Sequence, residues 1–416
     1  MKKTNNTPEV RFAGFEDEWV KKKFDDVFDM LSNNTLSRDA LNSESGVAKN
    51  IHYGDVLTKF GEYINVGSTK LPFISDPAIA TKFVRSYLKD GDVVIADTAE
   101  DETVGKCTEV IGVEETPVIA GLHTMPCRPK EKYAPKYMGY YLNSNAYHDN
   151  LFPLMQGVKV TSISRTGVKE TEVILSTEFD EQEKIGEHLS SLDDMIALET
   201  AKYEKLAIIK KAMLEKMFPK EGCDVPELRF GGFTDAWEQR KIGELFFERC
   251  ESMPNGELLS VTTNEGIKKF SEIGRHDNSN DDKSKYKRVC IGDIAYNSMR
   301  MWQGASGYSP YDGIVSPAYT VLAPNGDVHS KCVAYLFKRP DTVQTFRTHS
   351  QGITSDNWNL KFPALSEIKI MLANSIDEQI CIANYLQYID NIIKLQQQKV
   401  EKLKNIKYAC MEKMFV

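Results

Sequence analysis

The chain lacks a long apolar run: nowhere in its 416 residues is there an uncharged hydrophobic stretch approaching the roughly 18 that a membrane-crossing helix requires. The first residues, MKKTNNTPEVRF, carry two lysines but no apolar core of a secretory signal, so the sequence predicts a cytoplasmic protein with no membrane partner. Its eight cysteines include no CxxC pair and no His/Cys cluster at metal-ligand spacing, which points to reduced thiols rather than zinc or disulfides. Positive charge does not predominate either, with 52 Lys and Arg against 60 Asp and Glu. A net charge of −8 argues against a protein that simply coats nucleic acid, although it leaves room for local basic faces. Catalytic signatures are missing as well: no GxxxxGK[ST] phosphate loop, no GxGxxG turn, no GxSxG elbow and no HExxH. The NPPY or DPPY tetrapeptide of amino-group DNA methylation is absent, and no PD…(D/E)xK arrangement suited to metal-dependent cleavage stands out. The expectation is a chain that is not an enzyme and binds no cofactor or metal itself.

What is present is a duplication. PEVRFAGFEDEW (8–19) returns as PELRFGGFTDAW (226–237) with eight of twelve positions identical. Each copy ends in a long amphipathic segment, 180–218 and 377–415, and these align without a gap at 19 identities in 39. The interiors, 160 residues (20–179) and 139 (238–376), share almost nothing. A constant frame around two unlike inserts implies one kind of job performed on two targets. With 41% hydrophobic and 27% charged residues, the chain is long enough for two to three cores.

In the first long segment Leu189, Leu192, Ile196, Tyr203, Leu206, Met213 and Met217 form a 3,4-spaced seam, and Leu386, Ile389, Ile393, Val400, Leu403, Cys410 and Met414 form its match. Both seams are interrupted at the same steps, by Glu199 and Gln396 and by Lys210 and Lys407. Polar seam residues fix register, so matched interruptions suggest that the helices pair; the pattern also fits helices that each pack on their own insert. A second stripe (Met195, Leu198, Ile209; Ile392, Leu395, Ile406) needs a partner too, either the adjoining insert or another subunit. Asp180 and Asp377 suit the helix starts and Pro219 the first helix's end. As helices, 39 residues span roughly 58 Å.

Each insert reads as mixed α and β. DVVIAD (92–97), VILS (173–176), YTVL (319–322) and IKIML (368–372) are expected strands, and 136–151 and 333–346 are expected short helices. Polar loops follow at 156–167 and 349–359, each opening on a Gln-Gly pair (156–157 and 351–352), which suggests one fold with altered loops. The first insert (24–179) holds 15 Lys/Arg against 22 Asp/Glu, the second (242–376) 15 against 15, so any nucleic-acid surface must be a patch within each insert.

The alternation of repeated phrase, divergent insert and repeated helix resembles the specificity subunits of Type I restriction-modification systems along essentially the whole chain. The resemblance rests on the two phrases and on DEQ at 180–182 and 377–379, with Ile185, Leu189 and Leu192-Asp193 after the first and Ile382, Leu386 and Ile389-Asp390 after the second. It implies an α+β fold: two mixed α/β target recognition domains joined by two long antiparallel paired helices, with an internal pseudo-two-fold. The expected segments are 1–179, 180–218, 219–376 and 377–416. It further implies that each insert reads half of a bipartite, gapped sequence in double-stranded DNA while the helices set the unread spacer. DNA repeats about every 34 Å, so a stem of the length above suits readers one turn apart. Two methylation subunits carrying S-adenosylmethionine would dock on the stem, and restriction/translocation subunits using ATP and Mg would join them.

Base edges are read by Arg or Lys on guanine and by Asn or Gln on adenine, whereas phosphate contacts only position the protein. Candidate DNA-binding residues in the first insert are therefore Gln156, Lys159, Thr161, Ser162 and Arg165, with Tyr63 and Asn65 from GEYINVG. In the second they are Arg300 and Gln303 in NSMRMWQG and Gln351, Thr354, Ser355 and Asn357. Lys283, Lys285, Lys287 and Arg288 suit phosphate, and Trp302 fits either core packing or a groove. Arg11, Phe12, Phe15 and Trp19, with Arg229, Phe230, Phe233 and Trp237, read as anchors, since base reading would demand variation. A rival reading of the same layout is a non-catalytic coiled-coil scaffold whose inserts bind proteins; a self-contained nuclease or methyltransferase would instead act alone.

Overall fold

Val93–Ala96 is buried along its whole length, which is why it reads as a continuous apolar run rather than an alternating one. Val93 and Ile95 enter one core while Val94 and Ala96 enter another, as a strand's two-residue period requires. The strand lies at the centre of a sheet in a computed structural model that describes residues 6–263, 266–274, 276, 277, 279, 282–353 and 357–416. The chain divides into two compact units, Met1–Thr200 with Gln398–Val416, and Ala201–Gln397. The division cuts through both long helices, Phe179–Lys216 and Ile376–Lys413.

In the first unit five strands run in the order Phe28–Met30, Thr124–Pro129, Val93–Ala96, Cys107–Ile111, Tyr63–Asn65, with only the last pair parallel. A three-stranded sheet (Phe73–Ile74, Ala48–Ile51, Val118–Ala120) completes the insert. In the second unit Phe246–Glu248, Tyr319–Pro324, Ile294–Asn297 and Ser306–Tyr308 repeat the order of the first four strands. The inserts therefore share a topology despite their sequences. A common turn enters the central strand of each: Asp92 accepts from the Lys89 amide (2.8 Å) and Asp293 from the Cys290 amide (2.7 Å), after Gly91 and Gly292 in the left-handed region (φ 87° and 98°). Each insert is closed at its ends by a short antiparallel ladder, Val20–Lys23 on Glu172–Leu175 and Glu238–Lys241 on Lys369–Leu372.

The two stretches expected as single short helices are each broken. Tyr137–Asn143 gives way to Asn145–His148 at Ser144, whose backbone is extended and whose hydroxyl donates to the Tyr141 carbonyl (2.6 Å). Ser330–Leu336 is separated from Pro340–His349 because proline disfavours helical geometry in the residue before it, and Arg339 is extended.

Within each unit the long helices run antiparallel. In the first, Lys399 pairs with Glu199 (3.0 Å) and Lys407 with Asp193 (2.7 Å), so one helix descends as the other ascends. Leu189, Leu192 and Met414 are buried in its core, with Leu403 and Cys410 packed against them. In the second, Met217 shares a core with Ile382 and Leu386, and Lys210 pairs with Asp390 (2.5 Å). The remaining seam residues, Ile196, Tyr203, Leu206, Met213, Ile393 and Val400, are half-buried, and Ile389 is buried. Met195, Leu198, Leu395 and Ile406 of the second stripe are exposed.

Candidate nucleic-acid interface

The repeated phrases tie each unit to its long helices. Arg11 donates to Glu181 from Nε (2.5 Å) and Nη2 (3.0 Å), and Trp19 Nε1 (3.0 Å) and the Ser176 hydroxyl (2.5 Å) donate to the same carboxylate. Glu181 is fully buried, and its hydrogen bond raises the pKa of Arg11. In the second unit Arg229 donates to Glu378 (2.7 and 2.8 Å) and Trp237 joins it (3.3 Å). Trp19 meets Phe415 edge-on, as Trp237 meets Phe218. Phe12 packs on His188 and Phe230 on Tyr385, while Lys184 lies over the Phe15 ring. The glutamine of each DEQ then reaches the insert: Gln182 accepts from the Ala134 amide (3.0 Å) and Gln379 from the His329 amide (2.8 Å).

A second joint lies one helix face further on. Tyr140 donates to Asp193 (2.6 Å), which Lys407 also holds; Tyr335 donates to Asp390 (2.7 Å), which Lys210 holds. The lysines that interrupt the seams thus reach the aspartate after the opposite helix's Leu or Ile, and Lys407 additionally binds Glu62 (2.8 Å). Every repeated polar residue named above is spent on assembly.

The same two loops converge in each unit. After the central strand, the Ile163 amide donates to the Asp97 carbonyl (3.0 Å) and the Leu360 amide to the Ser298 carbonyl (2.9 Å). Each ties the loop leaving that strand to the Gln-Gly loop. Those Gln-Gly loops are closed by paired backbone bonds, Gln156 with Ser162 (3.0 and 2.8 Å) and Gln351 with Asn359 (3.0 and 2.8 Å). Thr161 and Ser162 also pair with Ala99 and Thr98. His123, in the left-handed region, places Nδ1 3.3 Å from both Asp97 and Thr98 beside the first pair of loops.

Of the candidate residues, Gln156, Lys159, Thr161 and Ser162 share one loop, and Lys159 is exposed with no side-chain partner among the described residues. Arg165 faces inward, donating to the Leu31 carbonyl (2.8 Å), Asn33 Oδ1 (2.8 Å) and the Thr124 carbonyl (3.4 Å), so its guanidinium ties loops together. Tyr63 and Asn65 sit on the edge strand, two strands from Val93–Ala96. Tyr63 lies under Lys136 (4.8 Å) and near Tyr140, its pKa raised by burial and then by the nearby Asp194 and Asp193. Asn65 caps a turn, accepting from the Gly67 (3.0 Å) and Ser68 (3.1 Å) amides.

In the second unit Trp302 meets Trp358 edge-on at 5.3 Å and Arg347 lies 5.4 Å over Trp358, which joins NSMRMWQG to the Gln351 loop. Trp302 is half-buried there, and its Nε1 donates to the Met299 carbonyl (3.0 Å). Arg300 and Gln303 are exposed beside it, and the Arg300 side chain has no partner among the described residues. Gln351 and Asn357 are exposed in the adjoining loop, and Thr354 and Ser355 lie outside the described residues. In the basic run Lys287 pairs with Glu248 (3.2 Å) and Arg288 with Glu251 (3.0 Å), whereas Lys283 and Lys285 make no ion pair among the described residues. His123, Arg347 and Trp358 were not legible as site residues. The Gly-Asp turn at 91–92 and 292–293 was the available signal, because it aligns the two central strands and hence the loops that leave them.

Among the described residues no cluster of three His, Cys, Asp or Glu could hold a metal, the cysteines are free, and no helix is long and apolar enough to cross a membrane.

A family model described as the Type I restriction modification DNA specificity domain matches residues 16–207 and again 234–405. The putative type I restriction enzyme MjaX specificity subunit of Methanocaldococcus jannaschii is 23% identical over 427 residues, covering 98% of this chain and 95% of the relative. Two solved structures share the fold. The Type I restriction-modification S subunit from M. genitalium gives a TM-score of 0.59 at 14% identity, with 99% of each chain covered. A chain from a study of assembly and conformational transition in the type I R-M system gives 0.54 at 15% identity, covering 98% of this chain and 99% of that one. With both halves matched by one family model and the fold shared end to end, the chain belongs to the family of Type I restriction-modification DNA specificity subunits.

Proposed function

We propose that each unit reads one half of a bipartite, gapped duplex sequence through its two converging loops, and that the paired helices set the unread spacer. The observation that carries this reading is chemical divergence at one topological position. The loop leaving the central strand offers Asp97, Thr98 and Glu100 in the first unit but Met299, Arg300 and Gln303 in the second, on the same strand order. A shared scaffold with unlike hydrogen-bonding edges is what two different half-sites require. Arg300 suits guanine, Gln156, Gln303, Gln351 and Asn357 suit adenine, and Lys159, Lys283 and Lys285 suit phosphate. Thr161 and Ser162 present further polar edges. The exposed Met195, Leu198 and Ile406 of the first unit and Leu395 of the second suit docking of two methylation subunits, which would carry S-adenosylmethionine. Restriction subunits would bring ATP and Mg, and this chain would supply the address without chemistry of its own.

The test is a titration of the chain bound to its methylation partner against randomised and selected duplexes at several salt concentrations. Enrichment of one gapped sequence is expected. A complex with no sequence preference would favour the protein-binding scaffold, and methyl transfer or cleavage by the chain alone would overturn the non-enzymatic assignment.

A further inference from the structure

The two most exposed large hydrophobic side chains among the described residues are Val158, at 102% relative exposure, and Ile353, at 98%; the next is Ile208 at 69%. Both are β-branched and both stand two residues after the glutamine of a Gln-Gly loop, in inserts that otherwise share almost no sequence. A single exposed valine is unremarkable on a protein surface, but the same placement in two diverged copies calls for a reason.

Backbone geometry is defined at the base of each loop. Each is closed by a pair of backbone hydrogen bonds, between Gln156 and Ser162 and between Gln351 and Asn359. Each turns on a glycine in the positive-φ region, Gly157 at 116° and Gly352 at 148°. A Cβ on Gly157 would stand 2.0 Å from the Val160 carbonyl oxygen, and one on Gly352 2.6 Å from that of Asn357. The apolar tip contributes nothing to either core, so the conformation holding it in water does not serve folding.

Resting on the half-site reading above, we propose that Val158 and Ile353 are apolar base-contacting residues, each inserted into the duplex at its own half-site. The surroundings fit DNA rather than a protein partner. Val158 is followed by Lys159, which has no side-chain partner among the described residues; Trp358 of the Ile353 loop lies under Arg347 and against Trp302, two residues after Arg300, whose side chain likewise has no partner among them. Cations beside an apolar tip suit a phosphate-walled groove in which the tip meets either a thymine C5-methyl or the face of an unstacked base.

The experiment uses the chain in complex with its methylation partner, carrying Val158→Thr, which keeps side-chain volume, or Ile353→Thr, which also shortens the side chain by one carbon, each at an almost fully exposed position. A duplex selected by the unaltered complex and a randomised duplex pool are the probes. Each variant should weaken affinity for the selected duplex by about tenfold, leave affinity for the random pool unchanged, and relax preference in one half-site only, a different half for each. Replacing half-site thymines by uracil removes the methyl without altering pairing, and 2-aminopurine in the half-site reports unstacking. Loss on uracil substitution assigns a methyl contact; a fluorescence rise that the threonine variants abolish assigns a wedge. If the unaltered complex shows no sequence preference, the half-site reading fails. If it does show one and both variants retain full affinity and selectivity, that reading stands and the role given to the two tips is wrong.

Discussion

Replacing Lys407 by methionine keeps the aliphatic stem and removes one charge from the joint between the first insert and the paired helices. Lys407 Nζ lies 2.8 Å from Glu62 and 2.7 Å from Asp193, with side-chain exposures of 17, 21 and 28%. Burial works against the ammonium, yet Glu62 and Asp193 outweigh it and the Lys407 pKa is raised. Without it, two carboxylates face each other in a partly dry site, and among the described residues the Tyr140 hydroxyl alone is left on Asp193. Breaking a fully buried pair costs about 3–5 kcal/mol, and the residual exposure here reduces that to about 2–3 kcal/mol. Lys210 meets a single carboxylate, Asp390, at 32 and 28% exposure, so Lys210→Met should cost only about 1 kcal/mol. Urea denaturation followed by far-ultraviolet circular dichroism measures both, and a double-mutant cycle with Asp193→Asn should give a coupling of about 1–2 kcal/mol. Equal costs for the two lysines, or additive effects at 193 and 407, would refute the account of the seam lysines as cross-helix locks.

Glu181→Gln strands Arg11 beside a neutral amide in a dry site and should cost about 3 kcal/mol, against less than about 0.5 kcal/mol for the exposed Glu183→Gln, read by denaturant midpoint. Gly157→Ala forces its loop open while touching no core residue, so selective DNA affinity should fall with the thermal midpoint unchanged. Burial pushes the Glu109 pKa up to about 7, although the Gly139 and Lys136 amides donate to its carboxylate and oppose the shift. A raised folded pKa means that the native state holds this proton more tightly than the unfolded chain does. Its stabilising contribution is therefore complete below about 4.5 and declines to its minimum as pH rises to about 7. Relative to Glu109→Gln, which does not titrate, the unaltered chain should lose stability across that window, by about 3 kcal/mol at most. A difference independent of pH would contradict it.

The frame was legible because helices write their packing at fixed spacing. Leu189, Leu192, Leu386 and Ile389 follow the heptad, and the polar steps at 199, 210, 396 and 407 recur because two copies of one helix meet antiparallel. Lys407 and Lys210 show why such steps persist: each holds an aspartate on the opposite helix. The anchoring role expected of Arg11, Trp19, Arg229 and Trp237 follows from the same repetition, since Glu181 and Glu378 repeat with them. The loops were less legible. Sequence shows which side chains a loop has but not where they point: Arg165, an apt guanine reader by type, donates to the Leu31 and Thr124 carbonyls and to Asn33. Tyr63 likewise lies beside the helix joint. The kinship of the inserts showed in sequence only at the Gln-Gly pairs, because strands tolerate any residues that fill their cores; DVVIAD and DIAYNS serve as the same central strand.

The first unit is completed by residues 398–416, so the reader at 20–179 borrows a wall from the far end of the chain. That wall supplies Lys407 to the joint and Phe415 to Trp19. Exchanging residues 24–179 for a different insert therefore demands little of the newcomer. It must present an amide to Gln182, as Ala134 does, a hydroxyl to Glu181, as Ser176 does, and a phenol to Asp193, as Tyr140 does. Gln379 and Asp390 in the second unit already receive the first and third of these from His329 and Tyr335 within an unrelated sequence. An insert meeting these conditions should fold and alter one half of the selected DNA sequence, whereas the same insert with phenylalanine replacing that tyrosine should be less stable with its base preference intact. If both halves of the target change on exchange, the readers are not independent, and the borrowed wall carries more than structure.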